Sequence, residues 1–417
     1  GGCVGGPLGG VGVWRLVSVP VKVSFQTFGC KANQYDTELL RTRLESGGGE
    51  SVEDFREADL CLVNSCSVTA KADQECRQFV RRLLRENPLA RIVVTGCYAS
   101  HAPEDLKALS PRVEVYSNKD KEGLPACLGF EVAPEVWGLS RFAHRARAFV
   151  KIQDGCKAPC RYCIIPQTRS AYWSKPVDHV LNEVQTLVAG GHGEIVFTGI
   201  RLGLYHGKSS DGKGADLTNL LARIIDLPGR FRIRLSSLEV TEIPDKLIQL
   251  AAGTDKICAH FHIPLQSAED GVLKDMGRWY RFADYADRVS AVRRFLPEAA
   301  VTADVLTGFP TESEAAFEET FRRIDSLNLS GLHAFPYSSR PGTVSADLKP
   351  LDRAVLQKRT RRLIDLSDSL KARFQARFVG TRRTALAEGN GEGWTDNYLR
   401  VTLPPDVPAG ALVLAQI

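Results

Sequence analysis

The run Ala148-Phe149-Val150-Lys151-Ile152-Gln153 leads directly into Asp154-Gly155-Cys156-Lys157-Ala158-Pro159-Cys160-Arg161-Tyr162-Cys163. A short apolar run that ends at a glycine turn reads as a strand passing into a loop. The loop carries cysteines spaced Cys-x3-Cys-x2-Cys. Five further strand candidates follow at Glu194–Thr198, Arg232–Ser236, Cys258–Pro264, Ala300–Leu306 and Gly331–Phe335, with helical patterns between them. Six β/α units predict a partial (β/α)6 barrel, and barrel sites lie at the carboxyl ends of the strands. The cysteine loop follows the first of those strands.

Upstream, the alternation is of the same kind. Val21–Phe28, Ala58–Asn64 and Ala90–Thr95 read as strands, with helices over Asn33–Leu44, over Val68–Arg85 and after Ser100, where Pro103 suits a first helical turn. This predicts a flavodoxin-like parallel α/β domain. Cys30, Cys66 and Cys97 each fall just past a strand, so three consecutive strands would bring three thiols to one sheet edge. Cys61 lies within a strand and Cys76 on a helix, and both read as small core residues.

The chain has 417 residues, 43% hydrophobic and 25% charged, the balance of a folded protein of two or three domains. Eleven cysteines are too many to ignore and too few for a disulfide scaffold of this length. The net charge of +5 is uneven: Leu351–Arg383 holds ten Lys/Arg against three Asp/Glu, a local +7. That segment is a candidate RNA footprint, or a solvated helix face. Residues 1–20, glycine-rich, read as a disordered leader. The expected domains are then 21–142, 143–372 and a short β-rich tail, 373–417. His260 and His262 are read as facing opposite sides of their strand, and neither as a metal ligand.

Three thiolates suit a four-iron cluster better than structural zinc, which takes four ligands, and they leave one iron open. The spacing, with Tyr162 before the last cysteine, resembles the radical S-adenosylmethionine (SAM) superfamily. Phe28–Tyr35, Val63–Thr69 and Val94–Tyr98 resemble the N-terminal domain of its methylthiotransferases. Ile164–Arg169, Arg234–Glu239, His262–Ser267, Asp304–Pro310, Phe335–Ser338 and Arg340–Thr343 continue the likeness in order. Within the family the residues around Cys30 and Cys156 look most like the threonylcarbamoyladenosine tRNA methylthiotransferases; the alternatives are the isopentenyladenosine tRNA and ribosomal protein S12 enzymes. Ser170 stands where the family usually has glycine.

The resemblance implies two 4Fe–4S clusters: an auxiliary one on Cys30, Cys66 and Cys97, and a SAM-binding one on Cys156, Cys160 and Cys163. It implies a methylthio group added at C2 of the adenosine at tRNA position 37, two SAM consumed, and the auxiliary cluster as sulfur donor. Tyr162, Glu194, Ser236, Glu239, Gln266, Leu306 and Gly308 are the implied SAM contacts, Glu194 through its Gly191-His192-Gly193-Glu194 turn. No catalytic residue beyond the clusters is implied. The tail resembles the small TRAM β-domain, and Trp279, Tyr280 and Arg281 read as packing residues beside the barrel mouth, with stacking on RNA as the alternative. The expected partners are a tRNA anticodon loop and an electron donor such as flavodoxin or ferredoxin, for a cytoplasmic monomer without a membrane segment. A zinc- or cluster-stabilised RNA-binding module without catalysis is the competing class.

Overall fold

The computed structural model describes residues 20–132, 138–142 and 145–417. The expected leader, Pro20 apart, and part of the 142/143 boundary lie outside them. The chain forms two compact units: the residues through Leu139 with Ile164–Tyr172, and Ser140–Cys163 with Trp173–Ile417. Among the described residues, no helix is long and apolar enough to cross a membrane.

The first unit is built on five parallel strands, β1 (Val21–Thr27), β2 (Gly49–Ser51), β3 (Leu60–Ser65), β4 (Arg91–Gly96) and β5 (Val113–Val115), in the order β2-β1-β3-β4-β5. The edge strands β2 and β5, three residues each, escaped the sequence reading because three residues show no alternation. Helices α1 (Lys31–Ser46), α2 (Ala70–Glu86) and the short α3 (Cys97–His101) follow β1, β3 and β4 respectively, α1 after β1 with β2 beyond it. On β3, Leu60 and Leu62 join one core with Val23, Leu40 and Leu44, while Cys61 and Val63 join another with Cys76, Val80 and Ile92. The period-2 alternation thus buries both sheet faces, and Cys61 and Cys76 are core residues. The strand order reverses between β1 and β3, where open α/β sheets place their ligands.

The second unit carries β6 (Arg147–Lys151), β7 (Glu194–Thr198), β8 (Arg232–Leu235), β9 (His260–His262), β10 (Ala300–Thr307) and β11 (Gly331–Pro336). They form two parallel ladders, β8-β7-β6 and β9-β10-β11. Isolated parallel bridges, Ile233↔Ile257 and Ser237↔His262, join them into one six-stranded open barrel. On β10, Val301, Ala303 and Val305 are buried while Thr302, Asp304 and Leu306, on the other face, are half-buried. The tail folds as an antiparallel sheet of β12 (Arg382–Ala387), β13 (Glu392–Thr395), β14 (Arg400–Thr402) and β15 (Leu412–Gln416), in the order β14-β13-β12-β15.

The basic segment forms helix α4 (Arg353–Ala376) and its continuation into β12. Part of its charge is paired, although Arg359 is the one buried cation among its ten. Arg359 is buried against Glu312 and Glu314, and Arg362, Arg373 and Arg383 pair with Glu318, Asp325 and Asp396. The acidic partners lie outside the segment, so counting charge along the chain overstates the local excess, while most of the cations still face solvent.

Candidate functional site

In the first unit, Cys30, Cys66 and Cys97 stand at the carboxyl ends of β1, β3 and β4. Two glycines make this possible. Gly29 has φ +95°, and a Cβ there would lie 2.6 Å from the Cys66 sulfur. Gly96 has φ +104°, and its Cβ would lie 2.3 Å from the Ser65 carbonyl. Only glycine fits either place. Asn33, fully buried, donates to the carbonyls of Phe28 and Ser65 and so ties the β1 and β3 ends together. Burial pushes the Cys66 thiol up to about 12, and the neighbouring Cys97 and Cys30 add to the rise. Three thiols this close would repel one another as thiolates, which suits a bound cation that takes them in that form. Asn118 donates to the Cys97 sulfur at 3.5 Å.

Ile164–Tyr172, the stretch directly after Cys163, packs within this first unit. Arg169 is its anchor, donating to Asn33 at 2.6 Å and Asp36 at 2.8 Å. Ser170 is not left-handed, so serine there carries no backbone strain.

In the second unit, Gln153 sets the cysteine loop. Its amide donates to the carbonyls of Asp154 and Gly155, both at 2.8 Å, and its Oε1 accepts from the Arg201 N–H at 2.7 Å. The loop start is thus tied to the segment just beyond β7. Cys156 is buried, and its sulfur accepts from the Ala158 N–H at 3.3 Å. Arg278 donates to the Cys160 sulfur at 3.2 Å and pairs with Glu239. Gly277, at φ +76°, makes that approach possible: a Cβ there would lie 2.4 Å from the Pro159 carbonyl. Arg201 pairs with Glu242 at 2.5 Å, and burial pushes Glu242 up to about 6 although Arg201 opposes it. The guanidinium groups of Arg201 and Arg278 lie 4.6 and 4.7 Å from the Trp279 ring centroid. Two cations beside three thiols offset the charge that thiolates would bring.

The implied SAM contacts separate in space. Ser236 lies just beyond β8, with its hydroxyl buried and without a hydrogen-bond partner. Arg201 Nε and Arg278 Nε are likewise buried and unpartnered. Orphaned donors at the barrel's carboxyl edge fit a ligand that carries carboxylate, amine and ribose groups, as SAM does. Gln266 is in the left-handed region at φ +65°, a strain that clusters at ligand sites. Tyr162 and Leu306 pack against one cluster with Met276, Phe309 and Tyr337. The Gly308 N–H is already donated to Glu312 at 2.8 Å. Trp279 donates its indole N–H to Thr241, and Tyr280 is buried with its hydroxyl on the Pro264 and Leu265 carbonyls.

Glu194 is a correction. It is the first residue of β7, at the amino end, fully buried among Arg232, Arg234 and Arg147. Arg232 also donates to the Thr384 and Trp394 carbonyls, and Arg234 to those of Thr395 and Asp396. Glu194 therefore neutralises the pair of arginines that clamps the tail sheet, at the barrel end away from the cysteine loop. The histidines are a second correction. Residues two apart on a strand share a face, and His260 and His262 both bond the Thr302 hydroxyl, at 3.0 and 2.9 Å. Arg201 and Arg278 escaped the sequence reading, where Asn33 figures in the Phe28–Tyr35 stretch that carries the family likeness. Gly277 before Arg278 was the one local signal; the rest needed the strands assembled.

Comparison with known proteins agrees with this geometry. The radical SAM superfamily matches residues 150–324, and the uncharacterized protein family UPF0004 matches residues 22–117. The threonylcarbamoyladenosine tRNA methylthiotransferase MtaB of Bacillus subtilis is 37% identical over 91% of this chain and 89% of its own. The enzyme of the same name from Aquifex aeolicus is 33% identical over 94% and 99%. A tRNA-2-methylthio-N(6)-dimethylallyladenosine synthase of Neisseria gonorrhoeae is 33% identical over 88% of each. Among solved structures, the radical SAM methyltransferase TsrM of Kitasatospora setae shares the fold at TM-score 0.57 and 15% identity, over 79% of this chain and 77% of that one.

Proposed function

This chain belongs to the radical SAM methylthiotransferases, and we propose that it adds a methylthio group to C2 of N6-threonylcarbamoyladenosine at position 37 of tRNA, next to the anticodon. Membership brings SAM and 4Fe–4S clusters as cofactors. The observation that carries the proposal is the pair of three-cysteine sets, each one ligand short of closing a four-iron cluster and each at the carboxyl end of parallel strands. A binding module without chemistry has no use for two open sites.

The adenine C2–H bond is beyond any acid–base pair; Cys156, Cys160 and Cys163 would hold the cluster that, given one electron from a reductant, would supply from SAM a radical equal to it. We assign the sulfur source to the cluster on Cys30, Cys66 and Cys97, with two SAM consumed per product. The chain's own part is to position. Gln153 fixes the loop, and Arg278 donates to the Cys160 sulfur while Glu239 orients it. Ser236, Arg201 and Gln266 line the edge where SAM would sit, with Tyr162 and Leu306 on its apolar side. Gly308 contributes its turn rather than its N–H.

The choice of threonylcarbamoyladenosine is supported by the relatives of that name, which align over nearly their whole length. The dimethylallyladenosine enzymes are the competing reading. The test is anaerobic reconstitution, incubation with tRNA bearing each N6 group, and mass spectrometry of the nucleosides. A gain of sulfur and methyl on threonylcarbamoyladenosine is expected. The same gain only on isopentenyladenosine overturns the substrate, and SAM cleavage with no methylthio product overturns the reaction.

A further inference from the structure

The inner face of the barrel carries a polar group that none of the cluster chemistry uses. His262, Asp304 and His333 come from the three adjacent parallel strands β9, β10 and β11, and their ligand atoms lie within 4.8 Å of one another. One Asp304 oxygen meets His262 Nε2 at 3.2 Å and the other meets His333 Nδ1 at 3.3 Å. His262 Nδ1 is held in turn by the Thr302 hydroxyl at 2.9 Å. Burial pushes the Asp304 carboxyl up, but the hydrogen bonds from His262 and His333 outweigh it and hold the group well below the usual carboxylate range. The cluster is therefore built around an ionised carboxylate.

The face is the open one. The neighbouring Leu332 bonds Ser367 of α4 through both its N–H and its carbonyl and is buried, whereas the His333 side chain is 62% exposed. Phe335, two residues on and on the same face, is also exposed, with its ring centroid 6.3 Å from that of His333. Leu306 is two residues beyond Asp304 on this face, a rise of about 7 Å, and packs in the cluster that includes Tyr162 of the cysteine loop. An exposed aromatic ring beside an anchored imidazole, one step from the cysteine loop, matches a purine whose substituent is polar. With Nδ1 on Asp304, His333 has Nε2 left for a ligand.

We propose that His333, oriented by Asp304 and backed by His262, binds the carboxylate- and hydroxyl-bearing N6 side chain of the substrate adenosine and so selects it over an apolar N6 group. The inference rests on the substrate reading above. His333 and Phe335 are the contacting residues; Asp304 and His262 are positioning residues.

The test uses the full chain, reconstituted anaerobically, and anticodon stem–loops with adenosine, threonylcarbamoyladenosine or isopentenyladenosine at position 37. Fluorescence anisotropy gives the affinity for each. The intact protein should prefer the threonylcarbamoyl form, and His333→Ala should weaken that form about tenfold, the scale of one charge-assisted hydrogen bond, while adenosine binding stays put. His333→Gln, which keeps a donor, should recover part of the loss. Iron content and melting temperature establish that the variants are folded. If the intact protein methylthiolates threonylcarbamoyladenosine and His333→Ala discriminates as before, this inference falls and the function stands. If the intact protein leaves that nucleoside unmodified, the substrate reading falls first. Two imidazoles and a carboxylate are also a donor set for zinc; one equivalent of zinc lost in His333→Ala would overturn direct contact in favour of a metal site.

Discussion

The two cysteine sets each bring three thiols to strand ends, by opposite means. Cys156, Cys160 and Cys163 sit within eight residues, and the loop that holds them is tied by Gln153 and Gly277. Cys30, Cys66 and Cys97 are separated by 36 and 31 residues and meet only because β1, β3 and β4 are neighbours in one sheet. The local set needs a loop; the distant set needs a domain. The surroundings differ as well. The loop set has two arginines close by, whereas burial dominates at Cys66, opposed by the Val68 backbone and only then added to by Cys97 and Cys30.

The largest effects should come from removing each set whole. Triple alanine replacement of Cys156, Cys160 and Cys163 should abolish SAM cleavage and lower iron from about eight to about four per chain. The same replacement of Cys30, Cys66 and Cys97 should also leave about four irons but retain cleavage of SAM to 5′-deoxyadenosine. Iron and sulfide assays with chromatography of the cleavage product check both. Only about four irons in the intact protein would break the comparison, since the distant set would then hold no cluster.

Glu194 supplies the control between them. Glu194→Gln leaves Arg232 and Arg234 buried with their charge uncompensated, at a cost of about 3–5 kcal/mol. Burial pushes the Glu194 carboxyl up, but the charges of Arg234 and Arg232 pull it down to about 2. Because its folded value lies below its unfolded one, its contribution is complete above the ordinary carboxylate range and is lost as pH falls toward 2. Denaturation curves between pH 7 and pH 3 should show this part of the acid sensitivity vanish in Glu194→Gln, and iron bound per folded chain should not change.

A smaller effect separates the two modes of assembly. Gly96→Ala places a Cβ against the Ser65 carbonyl at a backbone conformation that only glycine adopts readily, costing on the order of 1–3 kcal/mol. It should lower the iron held by the distant set and spare SAM cleavage, as metal analysis and the cleavage assay would record. The smallest effect is expected at Arg278. Arg278→Met removes the donor to the Cys160 sulfur, so the loop cluster should become harder to reduce and SAM cleavage slower by about tenfold. A redox titration followed by electron paramagnetic resonance reads the first, and Arg278→Lys should fall between.

The strand-and-helix alternation and both cysteine sets were legible in the sequence. A cysteine loop is a local object, and strand ends are marked by the switch from apolar alternation to glycine, so each cysteine could be assigned to an edge. Glu194 misled because a glycine turn before an acid resembles a ligand motif. Its place at the start of a strand, already visible, put it at the wrong end of the barrel. The local charge of the basic segment is offset for a different reason: Glu312, Glu318 and Asp325, which pair with it, are distant in sequence.

Periodicity and spacing by themselves determined that this chain has parallel sheets, which loops follow which strands, and that two sets of three thiols end at strand edges. Those are one-dimensional facts, because chain direction and a period of two fix them. The tertiary structure alone decided which charges meet. Arg278 reaches Cys160, Arg169 reaches Asp36, and His262, Asp304 and His333 gather on one face only once strands from separate parts of the chain lie side by side. Electrostatic and hydrogen-bond partners act over a few ångströms, and no pattern along the sequence reports which residues come that close.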